Sequence, residues 1–259
     1  MSSRMVIKIG GQAFEGATGF RELAAAIRAL PAAEVMIVHG GGKEISAALT
    51  AAGRETVFID GIRVTRAADI EIVEKVLSDT VNARIASQLT AGGVACQRMS
   101  GKTDGLFQVV PLRRNGRDIG YVGRIRQVHA AGVRQALQAR RVPVISPVSG
   151  DDSGQSYNVN ADSAASALAV ATRATDLVYL TDVPGVHVDG QPRPRLTVED
   201  AHHLIADRII TGGMVAKMES AFEALGGGVT RVYIARWDGP ETLNRLRSRG
   251  SETATVIES

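Results

Sequence analysis

The chain has a single cysteine, Cys96, among 259 residues. One thiol excludes an internal disulfide and any Cys-x-x-Cys metal site, and it suits a reducing cytoplasm. No stretch of eighteen apolar residues occurs, so no segment has the length of a membrane-crossing helix. Met1-Ser2-Ser3-Arg4 leads straight into a predicted strand without the apolar core of a signal peptide, which makes a cytoplasmic location the expectation. A dense basic run is missing too. The 30 basic and 27 acidic residues are scattered and leave a net charge of +3, which argues against a nucleic-acid partner and leaves anionic small molecules welcome. Neither an internal repeat nor a low-complexity linker is present. With 44% apolar and 22% charged residues, the composition is that of an ordinary globular protein, long enough for one large α/β domain or two small ones.

Two nucleotide-binding fingerprints are also lacking. Gly101-Lys102-Thr103 ends like a P-loop, but that loop needs a glycine five residues earlier, where Cys96 stands. A Gly-x-Gly-x-x-Gly dinucleotide loop is absent, which disfavours a Rossmann dehydrogenase. Lys102 and Asp104 then read as a mobile polar loop near a sheet edge that could cover a substrate.

What is present is a regular alternation of short apolar runs and amphipathic segments. It predicts strands over 5–9, 34–38, 94–99, 142–146, 176–180 and 231–234. Helices are predicted over 20–29, 44–52, 67–91, 130–139, 161–171, 198–205 and 215–225, with a hairpin at Asn115-Gly116. Alternation of this kind implies an α/β three-layer αβα sandwich around a central, mainly parallel open sheet, with ligands at the carboxyl ends of its strands. The turn-rich stretch 149–157 is a candidate seam between two lobes of one sheet.

Glycine clusters mark those strand ends. Val6-Ile7-Lys8-Ile9-Gly10-Gly11 and Gly212-Gly213-Met214-Val215-Ala216-Lys217 each set a lysine beside glycines, whose bare backbone admits an anion closely while the ammonium adds a compact charge suited to phosphate. Val38-His39-Gly40-Gly41-Gly42-Lys43 follows a strand and opens a helix, another anion seat. His39 reads as a packed or capping histidine without a chemical role, and Lys43 as solvated.

Three further stretches carry polar chemistry. In Asp60-Gly61-Ile62-Arg63-Val64-Thr65 the arginine either forks onto a carboxylate or is a surface side chain of a connecting loop. Asn158-Val159-Asn160-Ala161-Asp162 places two amides and a carboxylate at a helix start; one of them caps the helix, and the aspartate can instead hold ammonium groups. Leu180-Thr181-Asp182-Val183-Pro184-Gly185-Val186 is a strand-exit turn, which is also where a nucleotide's base and ribose would lie.

Taken in order, these motifs resemble those of the amino acid kinase family over residues 5 to 235. The resemblance implies phosphoryl transfer from ATP to the side-chain carboxylate of N-acetyl-L-glutamate, a step of arginine synthesis, with Mg2+ bridging the nucleotide phosphates and no protein residue assigned to the metal. It implies that Lys8 and Lys217 stabilise the transferring group and the leaving phosphate, and that Asp162 orders both lysines. Gly10, Gly11, Gly41 and Gly42 would offer N–H groups to phosphate or substrate. Arg63 and Asn158 would clamp the substrate's α-carboxylate, with Asn160 beside them. Thr181, Asp182, Val183, Pro184, Gly185 and Val186, together with Ile209, Ile210 and Thr211, would contact the nucleotide. It further implies an N-terminal lobe of about 1–150 for the amino-acid substrate and dimerisation and a C-terminal lobe of about 151–259 for ATP. Because the sequence starts at the first strand, without the N-terminal helix of arginine-regulated hexameric members, a homodimer without strong arginine inhibition is expected.

Two rival readings remain. One is a family member acting on aminoadipate linked to an acidic carrier protein, for which Arg113, Arg114, Arg117, Arg124 and Arg126 could form a docking face. The other is a sensor that binds ligand without turnover, which would not need Lys8, Asp162 and Lys217 together. The ending around 251–257 matches the family pattern only loosely.

Overall fold

A computed structural model describes residues 3–10, 14, 18–30, 34–114, 116–188, 190–248 and 254–258. In chain order the first half runs β1 (Arg4–Ile9), α1 (Gly19–Ala29), β2 (Glu34–His39), α2 (Gly42–Ala51), β3 (Phe58–Ile59), β4 (Ile62–Arg63), α3 (Ile70–Glu74), a π-helical segment (Lys75–Val81), α4 (Asn82–Ala91), β5 (Cys96–Ser100), β6 (Phe107–Arg114), β7 (Arg117–Val128), α5 (Ala131–Gln138) and β8 (Val142–Ser146). Then follow β9 (Ser149–Gly150), β10 (Ser156–Tyr157), α6 (Ala161–Thr172), β11 (Asp176–Thr181), β12 (His187–Val188), β13 (Gln191–Pro192), β14 (Arg195–Thr197), α7 (Val198–Ala206), α8 (Gly213–Gly226), β15 (Arg231–Arg236), α9 (Thr242–Arg247) and β16 (Ala254–Glu258).

The central sheet has eight strands in the order β14-β16-β15-β11-β1-β2-β8-β5. Every neighbouring pair is parallel except β15 and β16. Period-two alternation in β1 explains its place at the centre. Val6 joins a core with Met36, Val38, Leu177 and Tyr179 under α5, α6 and α8. Met5, Ile7 and Ile9 face the other way, into a core formed with α1, α4 and α9. Lys8 shares the Val6 face, so a lysine emerges at the carboxyl end of a central strand where α6 and α8 cover the sheet. The expected three-layer sandwich with a mainly parallel open sheet is the architecture found.

Local chemistry sets the element ends that matter. Asn160 caps α6, its Oδ1 accepting from the Asp162 and Ser163 N–H groups at 2.8 and 3.2 Å. Thr197 and Asp200 form a reciprocal capping box on α7. The hairpin expected at Asn115-Gly116 joins antiparallel β6 and β7, with Asn115 itself outside the described residues. The segment 149–157 becomes the short antiparallel pair β9–β10, which adds to β6 and β7 in a second, four-stranded sheet.

Three departures from the sequence expectations stand out. The single helix predicted over 67–91 begins at Ile70 and is interrupted by the π-helical turn. Helix α9 and strand β16 lacked a readable signal, and β16 inserts between β14 and β15 with mixed orientation. Helices α6 and α8 pack directly on one another, a contact the sequence did not indicate: Ser166 Oγ donates to the Ser220 carbonyl, and a Cβ built at Gly227 would lie 2.4 Å from Val170 Cγ2. Val170 is β-branched and has little rotamer freedom to yield. Gly227→Ala is expected to cost about 1–3 kcal/mol by overpacking, read as a lower urea midpoint at unchanged m-value; an unchanged midpoint would show that the two helices tolerate wider spacing.

Candidate active site

The carboxyl ends of β11, β1 and β2 lie side by side, and the first glycines continue their ladder. Gly10 N–H donates to the Leu180 carbonyl at 3.0 Å and Gly40 N–H to the Ile9 carbonyl at 3.0 Å. A Cβ at Gly10 would stand 3.1 Å from the Leu180 carbonyl oxygen and 3.9 Å from Lys8 Nζ, so a side chain there would crowd the ammonium. Gly11 falls outside the described residues.

Beside this edge the chain's two glycine-flanked lysines converge on one carboxylate. Asp162 stands in the first turn of α6, Lys8 on β1 and Lys217 one turn into α8. Lys217 Nζ donates to Asp162 Oδ2 at 2.8 Å, and Lys8 Nζ lies 2.8 Å from Oδ1 as an ion pair lacking the direction of a full hydrogen bond. The Asp162 and Lys217 residues are each 8% exposed, dry enough that the pairing decides their charge states. Burial alone would raise the Asp162 pKa, but the two ammonium groups outweigh it and hold the carboxyl well below its ordinary range. Burial lowers the pKa of Lys217, opposed by Asp162 and reinforced by Lys8. The Lys217 ammonium also sits 4.9 Å from the centroid of the buried Tyr179 ring, whose hydroxyl shares a 2.9 Å hydrogen bond with Ser166. Two ammoniums against one carboxylate leave one unit of positive charge in a desolvated place, an arrangement that favours an incoming anion.

A neighbouring open cleft of about 150 Å³ is lined by Gly40, Gly41, Gly42, Arg63, Asn158 and Asn160, among others. Arg63 is buried, and burial lowers its pKa. Its Nη2 donates to the Gly42 carbonyl at 2.8 Å and Ser46 Oγ at 2.9 Å, and Nη1 to Thr56 Oγ1 at 3.1 Å, with the guanidinium 4.8 Å from the Phe58 ring centroid. Two of its five N–H groups, on Nε and Nη1, stay available to a ligand. Asn158 Nδ2 donates to the buried Thr65 Oγ1 at 3.1 Å. The Arg63 side chain thus belongs to a built cleft, and the surface-loop alternative does not hold. At Gly61, where φ is +77°, a Cβ would lie 3.7 Å from Gly213 Cα, so the β3–β4 hairpin reaches the start of α8.

The expected nucleotide residues divide. Thr181 ends β11 and gives its hydroxyl proton to Asp182 Oδ1 at 2.9 Å, and Asp182 and Val183 are exposed. Gly185 and Val186 turn inward: a Cβ at Gly185 would meet Thr255 Oγ1 at 2.5 Å, and Val186 N–H donates to that oxygen at 2.8 Å. Pro184 is half-buried between them. Ile209 and Thr211 are exposed, whereas the Ile210 side chain packs into the core with residues of α6 and α8. Thr255 was missed as the anchor of this turn because it is one threonine in an irregular C-terminal stretch.

The polar loop at Lys102 is corrected by the structure. Lys102 Nζ is held by Glu74 Oε1 at 2.9 Å and Ser156 Oγ at 2.8 Å, and Ser156 in turn donates to Glu74 Oε2 at 2.6 Å. This network fastens the loop to α3 and β10. Among the described residues no three His, Cys, Asp or Glu side chains gather, and no helix is long and apolar enough to cross a membrane.

Comparison with known proteins identifies the family. Residues 3–236 match the model of the amino acid kinase family. The protein named acetylglutamate kinase in Chloroflexus aurantiacus is 41% identical over 240 residues, covering 92% of this chain and 94% of its own length. Its namesake in Chloroflexus aggregans is 40% identical over 256 residues, 98% of each. A solved protein of Streptococcus mutans UA159 superposes with a TM-score of 0.82 at 29% identity, covering 100% of this chain and 99% of that one.

The lysine bridge has a pH signature. A carboxyl whose folded pKa is held down stabilises the fold above its unfolded pKa of about 4, and that contribution is lost as pH falls through the folded value. Asp162→Asn removes it, so the variant should be less stable than wild type at pH 7, with a gap that narrows as pH drops below about 4. Denaturant titrations across that range decide it; a gap unchanged into strong acid would contradict the bridge.

Proposed function

The chain belongs to the amino acid kinase family, and from that footing we infer that it transfers the γ-phosphoryl group of ATP to the side-chain carboxylate of N-acetyl-L-glutamate, giving N-acetylglutamyl 5-phosphate in arginine biosynthesis. The observation that carries the chemistry is the Lys8–Asp162–Lys217 bridge. In the reaction a carboxylate oxygen attacks the γ-phosphorus as the bond to ADP breaks. Both reactants are anions, so the site must cancel repulsion and developing charge more than it must supply covalent chemistry. Lys8 and Lys217 are assigned to the transferring and leaving phosphates, and Asp162 keeps the ammonium groups apart and oriented.

Roles for the remaining residues follow from their positions. Arg63 and Asn158 would hold the substrate's α-carboxylate, with Asn160 at the same wall and the Gly10, Gly41 and Gly42 N–H groups on the phosphoryl path. Thr181, Asp182, Val183 and Pro184, with the exposed Ile209 and Thr211, would border the nucleotide; Gly185 and Val186 shape that turn from beneath. Magnesium would enter on the ATP phosphates, the usual way this cation is held at nucleotide sites. The division into an amino-acid lobe of about 1–150 and an ATP lobe of about 151–259 is the assignment these positions favour.

Carrier-linked aminoadipate is less well supported. Two of the five arginines offered as its docking face are engaged within the chain: Arg114 with Asp60 and Glu219, and Arg126 with Asp152. A pure sensor has no use for a buried carboxylate shared by two lysines.

An ATP-dependent hydroxamate assay with N-acetylglutamate, glutamate and aminoadipate tests the reading. Acetylglutamate should be the acceptor used, and Lys8→Ala or Lys217→Ala should lower turnover at least about a hundredfold, the effect of losing one preorganised donor worth about 3 kcal/mol. Near-normal turnover in either variant would refute its role. The homodimer that the family resemblance implies, in a cytoplasmic setting, is checked by sedimentation velocity, where a hexamer would overturn it.

A further inference from the structure

The scheme above gives no task to His39, a fully buried titratable side chain at the carboxyl end of β2. Its Nδ1 lies 2.9 Å from the Gly40 carbonyl oxygen and its Nε2 lies 3.1 Å from Asn82 Nδ2. The orientation of the Asn82 amide is fixed independently. Its Nδ2 also faces the carbonyls of Met99 at 3.2 Å and Val144 at 2.8 Å, and its Oδ1 accepts from Arg98 Nε at 3.1 Å. Flipping the amide would set its oxygen against two carbonyls and its NH2 against a guanidinium. The Asn82 amide nitrogen cannot accept a proton from Nε2, and the Gly40 carbonyl can only accept, so the ring proton belongs on Nδ1, aimed at Gly40. Burial keeps the ring neutral by lowering its pKa to about 4.

That tautomer acts on the glycine turn. A trans peptide points its carbonyl and N–H in opposite directions, so holding the Gly40 oxygen against the imidazole fixes the direction of the Gly41 N–H, which donates to no acceptor among the described residues. Gly40 and Gly41 line the cleft beside Arg63 and Asn158. The π-helical turn supports the same peptide from behind. A Cβ at Gly41 would lie 2.7 Å from Leu77 Cδ2 and 3.4 Å from Val81 Cγ2, and Asn82 is the first residue after the turn. Ser78 Oγ lies 2.7 Å from Ser146 Oγ, and Arg98 Nη2 donates to the Ser78 carbonyl at 2.8 Å, pinning the widened turn to the ends of β8 and β5. Single π-turns recur at functional sites, where they re-aim side chains.

We propose that His39 and Asn82 are positioning residues for the phosphoryl-transfer site, locking the Gly40–Gly41 peptide so that the Gly41 N–H is a preorganised donor to oxygens that gain charge during transfer. The proposal rests on the kinase reading and adds to it. A donor useful mainly in the transition state, once loosened, should lower kcat with little effect on KM.

The experiment pairs spectroscopy with kinetics. In 15N-histidine NMR of the wild-type protein, the resonance that vanishes in His39→Asn should be a neutral ring protonated at Nδ1; an Nε2-protonated or charged ring at neutral pH overturns the lock. His39→Asn keeps a donor near the Nδ1 position, and His39→Gln keeps only a group near Nε2. Asn82→Ala and His39→Gln should lower kcat about tenfold or more, with both KM values within about threefold, and His39→Asn should recover most of the loss. Equal kcat in the two His39 variants, or losses confined to KM, overturns the positioning role. Should Asn82→Ala fail to fold, the His39 pair and the spectrum decide alone. An inactive wild-type protein overturns the kinase reading instead, and the tautomer, read without turnover, still judges the lock.

Discussion

One carboxylate shared by two lysines is the constraint around which the rest is arranged. Asp162 can be ionised where it is only because the Lys8 and Lys217 ammonium groups flank it, and Lys217 can be charged there only because Asp162 is ionised. Removing Asp162 would leave two buried ammonium groups without compensation, which is far costlier than the net worth of a buried pair. The bridge therefore demands that β1, α6 and α8 keep their mutual positions, and the packing is organised to meet that demand. Small residues of α6, among them Ala164, Ala165 and Ala169, are fully buried against the sheet and α8. The Asn160 cap fixes where α6 begins, and so where Asp162 points.

The same logic extends to the donors around the bridge. Parallel strands end together, so their exits gather backbone N–H groups and helix starts at one edge of the sheet. Gly10 and Gly41 stand where close approach to another backbone or side chain leaves little room for a Cβ, and Gly212, at φ +59°, starts α8 in a conformation other residues resist. Arg63 enters from the β3–β4 hairpin, bonded to the first turn of α2 and close to the start of α8 through Gly61. The Arg63 cleft and the start of α8 are thereby joined through short contacts.

Much of this was legible beforehand. The strand and helix alternation, the cap at Asn160 and the hairpin at Asn115-Gly116 follow from periodicity and turn chemistry, which act over a few residues. The joint role of Lys8, Asp162 and Lys217 came from the resemblance of the ordered motifs, since spacing alone left each with a plainer reading. What the sequence left open has a common origin. The partners of Lys102, Glu74 and Ser156, arrive from other elements, and so do the core residues that surround the Ile210 side chain. His39 read as a packed histidine; it is packed, and its ring also holds the Gly40 carbonyl.

By itself the sequence determined which segments are strands and helices, where bare glycine backbone stands, and which family the pattern resembles, because these depend on side-chain periodicity and local backbone preference. Only the tertiary structure decided which charges meet. Lys217 finds Asp162 from 55 residues away, and Asn82 finds His39 from 43. Such pairings depend on strand order and helix approach, set by burial of the whole sheet, and no local signal in the chain encodes them.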